Sequence, residues 1–410
     1  MASSLSQRGG RRLLFPMVAV VVAVAVLVRA APAFACYTRV FSFGDSLADT
    51  GNYRFVYGND SSHALRFPYG ETFFHRATGR FSDGRVVLDF IADALGLPFV
   101  PPYLSGRCAE DFFHGANFAV GGATALGPDF FLDRGIDLGD VVHLDMEMKW
   151  FRDMLNLLCP GDLAAGCSDM MNQSLFIVGE IGGNDYNTPL FGRIPLETVV
   201  TFAPSVIAKI SSAITELIGL GAKTLVVPGN FPIGCLPKYL LAFQGDKEED
   251  YEPKTGCIKR LNEFARYHNK LLIEELEKLR KLHPSVTIIY ADYYGAAMDI
   301  FVSPQEHGIK YPFVVCCGGE GRYGVSQGVT CGRGKYKLCH NPETYGSWDG
   351  LHPPETVYRA IATSLLRGSH TQPPLATIAS SCIKLSELSL SSDEYKSLSG
   401  DVNVQLHAIS

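Results

Sequence analysis

The chain has no excess of basic residues, and this limits the partners it can bind. Its 410 residues include 36 lysines and arginines against 42 aspartates and glutamates, which gives a formal net charge of −6. Four of the arginines lie within residues 1–35, which contain no acid, so the remainder carries a net charge of −10. Such an acidic surface argues against nucleic acid and anionic lipid as partners.

After residue 35 the sequence also lacks an apolar run of the roughly 20 residues that a membrane-spanning helix needs. We therefore expect no stable membrane span in the mature chain. Residues 1–35 differ, because arginines precede an apolar run at residues 13–28 and Ala33-Phe34-Ala35 follow it. This order predicts a secretory signal peptide over residues 1–35 and an extracellular or cell-wall protein. The alternative is an uncleaved anchor that retains the protein in an early secretory membrane such as the Golgi.

No cysteine precedes Cys36, and 11 cysteines lie from there onwards. In a secreted chain cysteines serve mainly in disulfides rather than as metal ligands, so we expect no metal or other cofactor. The odd number leaves at least one cysteine unpaired in the chain, and the pairings themselves stay open. Two sequons, at Asn59 and Asn172, are candidate N-glycosylation sites.

What the sequence does contain is an alternation of short apolar runs and helical patterns. Apolar residues at helical spacing predict helices over residues 196–218 and 258–282. Fully apolar, β-branched runs of this length suit strands that are buried on both faces of a parallel sheet. Four such runs occupy residues 39–43, 174–178, 223–227 and 286–290. The alternation predicts an α/β fold.

The first predicted strand runs into a polar turn with Ser46 near its tip. Catalytic groups of parallel sheets gather beyond the carboxyl ends of the strands, which makes Ser46 a candidate nucleophile. A serine needs a base, and Asp349 and His352 are three residues apart, so the carboxylate can orient the imidazole. We expect Asp45, beside the nucleophile, to fix the turn by hydrogen bonds rather than to act as a base.

Two further Gly/Asn turns offer donors for the oxyanion that forms after attack. Gly122 offers a backbone N–H that a ligand can approach closely, because glycine has no Cβ. Asn184 offers a side-chain amide, although a structural hydrogen bond within its own turn is the alternative role.

Four blocks occur in order along the chain, at residues 43–52 (FGDSLADTGN), 115–124 (GANFAVGGAT), 181–186 (IGGNDY) and 349–352 (DGLH). With these blocks the chain resembles the plant GDSL esterase/lipase family, within the SGNH hydrolase superfamily, over about residues 36–366. Further segments resemble the subgroup that includes sinapine esterase, acetylajmalan esterase and xylan deacetylases. They lie at residues 256–257, 291–294 and 316–319.

The resemblance implies a three-layer α/β/α sandwich with a parallel sheet, a flavodoxin-like SGNH hydrolase fold. It implies that Ser46, Asp349 and His352 form the catalytic triad and that Gly122 and Asn184 complete the oxyanion hole. We assign residues 36–368 to the hydrolase domain and residues 369–410 to a Ser-rich, loosely attached tail.

The function expected is that of a secreted serine esterase that hydrolyses carboxylic esters through an acyl-enzyme. Acetyl or another short acyl group is the favoured acyl part, on a small metabolite or on a cell-wall polysaccharide such as xylan. Three alternatives stay open: an acyltransferase with the same triad, a lipase for longer acyl chains, and a non-catalytic glycan-binding protein.

Overall fold

The computed structural model of the protein describes residues 37–58, 62–159, 167–378 and 382–385. The predicted signal peptide at residues 1–35 and the sequon at Asn59 lie outside these residues. Asn172 is exposed at the end of a short helix, and its glycosylation stays a prediction.

The described chain contains ten strands. They are β1 (Arg39–Phe43), β2 (Gly115–Asn117), β3 (Ser174–Val178), β4 (Thr224–Pro228), β5 (Thr287–Ala291), β6 (Tyr311–Val315), β7 (Cys317–Gly318), β8 (Lys337–Leu338), β9 (Tyr345–Ser347) and β10 (Thr371–Gln372). Two small sheets pair β6 with β9 and β7 with β8, and the other six strands form one sheet.

The six-stranded sheet has the order β10-β5-β4-β3-β1-β2. Neighbouring strands from β2 through β5 are parallel, and β10 pairs antiparallel with β5 at the edge. The order 2-1-3-4-5 is that of flavodoxin-like sheets, in which ligands bind beyond the strand ends where the order reverses, between β1 and β3.

Helices cover both faces of this sheet. The α-helices are Tyr53–Tyr57, Val87–Leu95, Pro128–Leu132, Leu144–Leu158, Ser168–Asn172, Gly183–Phe191, Leu196–Val200, Ala203–Gly219, Pro237–Ala242, Lys259–Leu282, Tyr293–Val302, Glu355–Arg367 and Leu375–Ile378. Short 3₁₀ turns cover His63–Leu65, Tyr103–Ser105, Ala109–Phe112, Ile233–Cys235, Glu248–Asp250, Pro304–His307, Arg322–Gly324 and Pro342–Thr344.

Alternate strand residues divide the interior into two main cores, one on each face. In β1, Phe41 and Phe43 pack against Phe151 of the helix Leu144–Leu158, whereas Val40 belongs to the opposite core. Successive side chains of a strand point to opposite faces, which produces this division. The predicted three-layer α/β/α sandwich is therefore confirmed.

The four predicted strands lie within one residue of β1, β3, β4 and β5. The helix predicted over residues 196–218 is in fact two helices, Leu196–Val200 and Ala203–Gly219. Pro204 explains the break, because it has no N–H and its ring would clash with the carbonyl of Val200 in a continuous helix.

The stretch Leu196–Gly219 is the one candidate membrane span among the described residues, judged by length and composition. Within it, 44% of the most apolar window is buried inside the protein. Its buried side chains include Val206, Ile210 and Ile214, which pack in the core beneath the sheet. We therefore interpret it as a core helix.

Four disulfides join described cysteines: Cys159–Cys167, Cys235–Cys257, Cys316–Cys339 and Cys317–Cys331. The last two close the Gly-rich segment that precedes β9. Cys382 is also disulfide-bonded, whereas Cys108 is free and exposed. The expectation of disulfides together with an unpaired cysteine is thus met.

Several residues beyond the predicted domain boundary at residue 368 contact the rest of the fold, and the boundary itself stays a prediction. Thr371–Gln372 forms strand β10, the side chain of Leu375 is buried, and the N–H of Lys384 donates to the carbonyl of Ala94 at 2.7 Å. The segment has no hydrophobic periodicity, because edge pairing and a disulfide at Cys382 attach it. The described residues after 368 are therefore attached to the folded unit.

A chain that ends at Gly368 should be less stable than one that ends at Leu385. The shorter chain loses the β10–β5 pairing, the disulfide of Cys382 and the burial of Leu375, which alone contributes about 1.5–3 kcal/mol. We expect a melting temperature lower by about 5 °C or more, measured by calorimetry. Equal melting temperatures for the two chains would support the predicted boundary at residue 368.

Candidate active site

Ser46 follows β1 in a turn that its neighbour organises. Asp45 Oδ1 accepts the N–H of Leu47 at 2.9 Å, as expected for a residue that fixes the turn. Gly44 has a φ of +148°, and a Cβ there would lie 2.8 Å from the carbonyl oxygen of Glu180. Only glycine allows the nucleophile turn to approach the loop after β3 so closely.

His352 contacts both of its predicted triad partners. Its Nε2 lies 2.8 Å from Ser46 Oγ, and its Nδ1 lies 2.7 Å from Asp349 Oδ2. The loop that follows β9 holds this arrangement, since the N–H of Trp348 donates to the carbonyl of His352 at 2.8 Å. This is the geometry that a serine needs to pass its proton to a base.

The Asp349 carboxylate is buried among hydrogen-bond donors. Oδ1 accepts the backbone N–H groups of Leu351 and His352, and Oδ2 accepts the hydroxyl of Tyr69 at 2.8 Å in addition to the imidazole. Burial alone would raise the pKa of Asp349, but the charge and hydrogen bond of His352 hold it well below its ordinary value. The carboxylate is therefore ionised and points at His352.

Two backbone N–H groups, those of Ser46 and Gly122, can donate hydrogen bonds to a substrate oxygen. Among the described residues, neither the N–H of Ser46 nor that of Gly122 donates to a protein acceptor. Gly122 lines the same cleft and has a φ of +85°, and a Cβ there would meet no heavy atom within 4 Å. Glycine is needed at this position for its backbone conformation rather than for space.

The Asn184 amide lies at the same cleft but already has acceptors. Its Nδ2 donates to Asp45 Oδ2 at 2.8 Å and to the carbonyl of Ala123 at 3.0 Å. An oxyanion would compete with Ala123 for the second N–H. Both acceptors lie outside the turn of Asn184, and the side chain lines the same cleft as Ser46 and Gly122.

Side chains of the first block hold the Gly-rich turn in place. Asp49 Oδ2 accepts the N–H of Gly121 at 2.8 Å. Asn52 Nδ2 donates to the carbonyls of Asn117 and Ala119 at 2.7 and 2.9 Å. The loop after β1 therefore positions the loop after β2.

Burial raises the pKa values of the carboxyl groups behind the nucleophile. The pKa is about 6 for Asp45 and Asp49 and about 7 for Asp185, and desolvation is the largest cause in each case. The pKa values of Glu147 and Glu180 are raised well above their ordinary value for the same reason. These groups resist ionisation in the folded protein.

The cleft in front of Ser46 has a volume of about 310 Å³. His63 lines it, and His63 Nε2 is 4.0 Å from Asp349 Oδ2. Burial lowers the pKa of His63 to about 4, so its ring is neutral at physiological pH. The other walls combine aromatic rings with amides, from Tyr53, Tyr57, Phe81, Phe231, Asn187 and Asn230.

Comparison with known proteins agrees with this geometry. The sequence profile of the family described as GDSL-like Lipase/Acylhydrolase matches residues 40–365. The chain belongs to the GDSL lipase/acylhydrolase family. A GDSL esterase/lipase of Arabidopsis thaliana is 47% identical over 342 residues, which cover 82% of this chain and 86% of that protein.

A sinapine esterase of Brassica napus is also similar to this GDSL protein, with 43% identity over 379 residues, 91% of this chain and 95% of that protein. A solved mutant of an acetyl-xylooligosaccharide esterase from Geobacillus has a TM-score of 0.31 and 13% identity. The aligned region covers 66% of this chain and 80% of the esterase chain. The structural similarity is too low to indicate a shared function.

As a GDSL family member the protein is a carboxylic ester hydrolase, and its substrates are esters. The structure brings Ser46, Asp349, His352, Gly122 and Asn184 to one cleft. Their individual catalytic roles stay predictions.

Sequence reasoning missed three residues that support this GDSL site. Tyr69 contacts Asp349 from 280 positions away, and no local signal marks it. Glu180 immediately precedes the third block, and Asn52 closes the first block. Membership of the first block for Asn52, and direct adjacency to the third block for Glu180, were the signals that could have identified both as structural partners of the loops.

Replacement of Tyr69 by phenylalanine removes a donor to the triad carboxylate. A hydrogen bond to a charged group contributes about 1.5–3 kcal/mol, so we expect Tyr69→Phe to lower kcat/KM by about 10- to 100-fold. Tyr358→Phe is the matched control, because the buried hydroxyl of Tyr358 has no hydrogen-bond partner among the described residues. Steady-state kinetics on one ester would measure both, and equal effects would argue against a role for Tyr69.

The raised carboxyl pKa values predict a protein that is most stable at mildly acidic pH. Asp45, Asp49, Asp83 and Asp185 have pKa values of about 6 to 7, so the folded state keeps protons that the unfolded chain has released. The free energy of unfolding therefore falls as pH rises from about 5 through 7. We expect a melting temperature at pH 8 lower by about 5 °C or more than at pH 5.5.

Asp349 does not oppose this trend, because a lowered pKa affects stability only under more acidic conditions. The pKa values of His63 and His268, lowered by burial to about 4, oppose it below about pH 6.5, but these two groups are outnumbered by the carboxyl groups with raised pKa values. Asp83→Asn removes one titrating group and should flatten the pH dependence. A melting temperature that rises from pH 5.5 to pH 8 would contradict the prediction.

Proposed function

We propose that the protein is a secreted serine esterase that removes a short acyl group, chiefly acetyl, from a cell-wall polysaccharide such as xylan or from a glycosylated metabolite. One observation carries the reaction: Ser46 Oγ lies 2.8 Å from His352 Nε2, beside two backbone N–H groups that have no protein acceptor among the described residues.

In the proposed mechanism Ser46 Oγ attacks the ester carbonyl carbon while its proton passes to His352 Nε2. Asp349 accepts the Nδ1–H and stabilises the imidazolium. The N–H groups of Ser46 and Gly122 and one amide N–H of Asn184 hold the oxyanion.

The tetrahedral intermediate then collapses, and His352 donates its proton to the oxygen of the leaving alcohol. A water molecule attacks the acyl-enzyme and gives a proton to His352. The second collapse releases the carboxylic acid and returns the proton to Ser46 Oγ.

The lining of the cleft supports a small acyl group on a sugar. Its volume of about 310 Å³ is near the lower end of the range for ligand sites. Asn187 and Asn230 can hydrogen-bond hydroxyls, and the rings of Tyr53 and Phe81 offer flat apolar faces. A long acyl chain would instead need an extended apolar channel.

Secretion is supported by the N-terminal arginine and apolar pattern and by the disulfides, which persist in oxidising compartments. Retention of the N-terminal segment as an anchor would place the same activity in the Golgi.

The alternatives differ in the fate of the acyl-enzyme or in whether it forms. An acyltransferase would pass the acyl group to a second alcohol, and a lipase would prefer long chains. A glycan-binding protein without activity is disfavoured, because His352 is within proton-transfer distance of Ser46 and Asp349.

The decisive variant is Ser46→Ala, assayed on p-nitrophenyl esters of increasing acyl length, on acetylated xylan and on sinapine. We expect at least about a 10³-fold loss of kcat, as for other nucleophile deletions. Ser42→Ala is the matched control, because Ser42 is buried on β1 and its hydroxyl has no partner among the described residues.

Wild-type turnover by Ser46→Ala would contradict the proposed mechanism. Activity on long-chain esters without acetate release would reverse the choice of substrate in favour of a lipase. Transfer products formed with an added alcohol, in place of free acid, would identify an acyltransferase.

A further inference from the structure

Glu180 is a buried acid that the proposed reaction does not use. It lies between β3 and the helix Gly183–Phe191 and is only 3% exposed. Its backbone carbonyl accepts the N–H of Asp45 at 3.2 Å, and its side chain shares a hydrogen bond with the Asp45 carboxyl group. Glu180 therefore contacts the nucleophile turn through both its backbone and its side chain.

Asp45 connects Glu180 to the candidate oxyanion donor. Asp45 Oδ2 accepts the Nδ2–H of Asn184 at 2.8 Å, while Oδ1 is occupied by the N–H of Leu47. A chain of contacts thus runs from the Glu180 carboxyl group through the Asp45 carboxylate to the Asn184 amide. The other Asn184 N–H faces the carbonyl of Ala123, where an oxyanion can compete for it.

Two carboxyl groups in contact need a proton between them, because two buried carboxylates repel each other. Burial raises the pKa of Glu180 well above its ordinary value but that of Asp45 only to about 6. The charge of His352 favours ionisation of Asp45. At neutral pH the proton is therefore on Glu180, which donates, and Asp45 accepts.

Two acids and three tyrosines interact electrostatically with Glu180. Those groups are Asp45 on the nucleophile turn, Asp185 and Tyr186 on the helix Gly183–Phe191, Tyr239 on Pro237–Ala242, and Tyr293 on Tyr293–Val302. The backbone N–H of Gly183 favours an ionised Glu180, but burial and the charges of Asp45 and Asp185 outweigh it. An ionised Glu180 would therefore repel the Asp45 carboxylate.

We propose that Glu180 is a positioning residue for the oxyanion hole: as a neutral acid it donates a hydrogen bond to Asp45, which then holds one amide N–H of Asn184 and leaves the other for the oxyanion. This inference rests on the proposed oxyanion role of Asn184. If the Glu180 side chain is removed, the Asp45 carboxylate loses a hydrogen-bond donor. If Glu180 only loses its proton, two negatively charged carboxylates are in contact. Either change turns Asn184 away from its catalytic orientation.

The test compares Glu180→Ala with Glu180→Gln. The alanine variant loses the donor, and we expect kcat to fall about 10- to 100-fold with KM within about 3-fold, as for an interaction made in the transition state. The glutamine amide still donates to Asp45, so Glu180→Gln should recover kcat to within about 3-fold of wild type at neutral pH. Glutamine has no proton to lose, so this variant should keep its rate as the pH rises through the raised pKa of Glu180, where ionisation slows the wild type.

A control separates positioning from stability. Asp93→Asn removes a buried carboxylate that pairs with Arg85 at 3.2 Å, and neither residue lines the cleft. It should lower the melting temperature and leave kcat and the pH profile unchanged. If Glu180→Ala does not fold, the pH profile of Glu180→Gln alone decides.

A double-mutant cycle with Asn184→Ala distinguishes this inference from the proposed function. If Glu180 acts through Asn184, Glu180→Ala adds less than about 3-fold to the loss in the Asn184→Ala background. Three results would each overturn the role of Glu180. They are fully additive losses of kcat in the double mutant, a wild-type kcat in Glu180→Ala, and a pH–rate profile of Glu180→Gln that is identical to that of the wild type. Unchanged kcat in Asn184→Ala would instead overturn the oxyanion role itself, whatever Glu180 does.

Discussion

The site depends on hydrogen bonds that backbone N–H groups donate to buried carboxyl groups. Asp49 and Asp185 take N–H groups from the loop after β2, and Asp349 takes two from its own loop. Burial of an unpaired charge costs several kcal/mol, and each carboxylate offsets that cost only while its donors stay in place. The loops therefore fix one another, which explains why the family's blocks extend well beyond the nucleophile.

Much of the fold could be predicted from the sequence because buried parallel strands are uniformly apolar. The runs at residues 39–43 and 174–178 coincide with β1 and β3. β2 was not predicted, because Gly115–Asn117 is short and not apolar, and only pairing with β1 makes it a strand. The contacts of residues 371–378 and 382–385 with the sheet and with Ala94 are equally hard to predict, since they depend on distant partners rather than on a local pattern.

The five predicted site residues meet at one cleft, because each belongs to a block with recognisable turn chemistry. The residues behind them were harder to find. Tyr69 and Asp349 are 280 positions apart, and no sequence pattern near either residue predicts their contact. Amide and aromatic residues of the cleft wall come from loops whose shapes depend on tertiary packing. Sequence patterns therefore predict the reaction better than the ester on which it acts.

The late position of β10 has a consequence for how the chain is made. β5 ends at Ala291, whereas the strand that covers its edge begins only at Thr371. The β5 edge stays unpaired while the intervening residues are synthesised, and an open edge is a template for wrong partners. The central sheet can therefore be completed only after Thr371–Gln372 has been synthesised, and the disulfide of Cys382, which lies beyond β10, can form only after a still later residue is made.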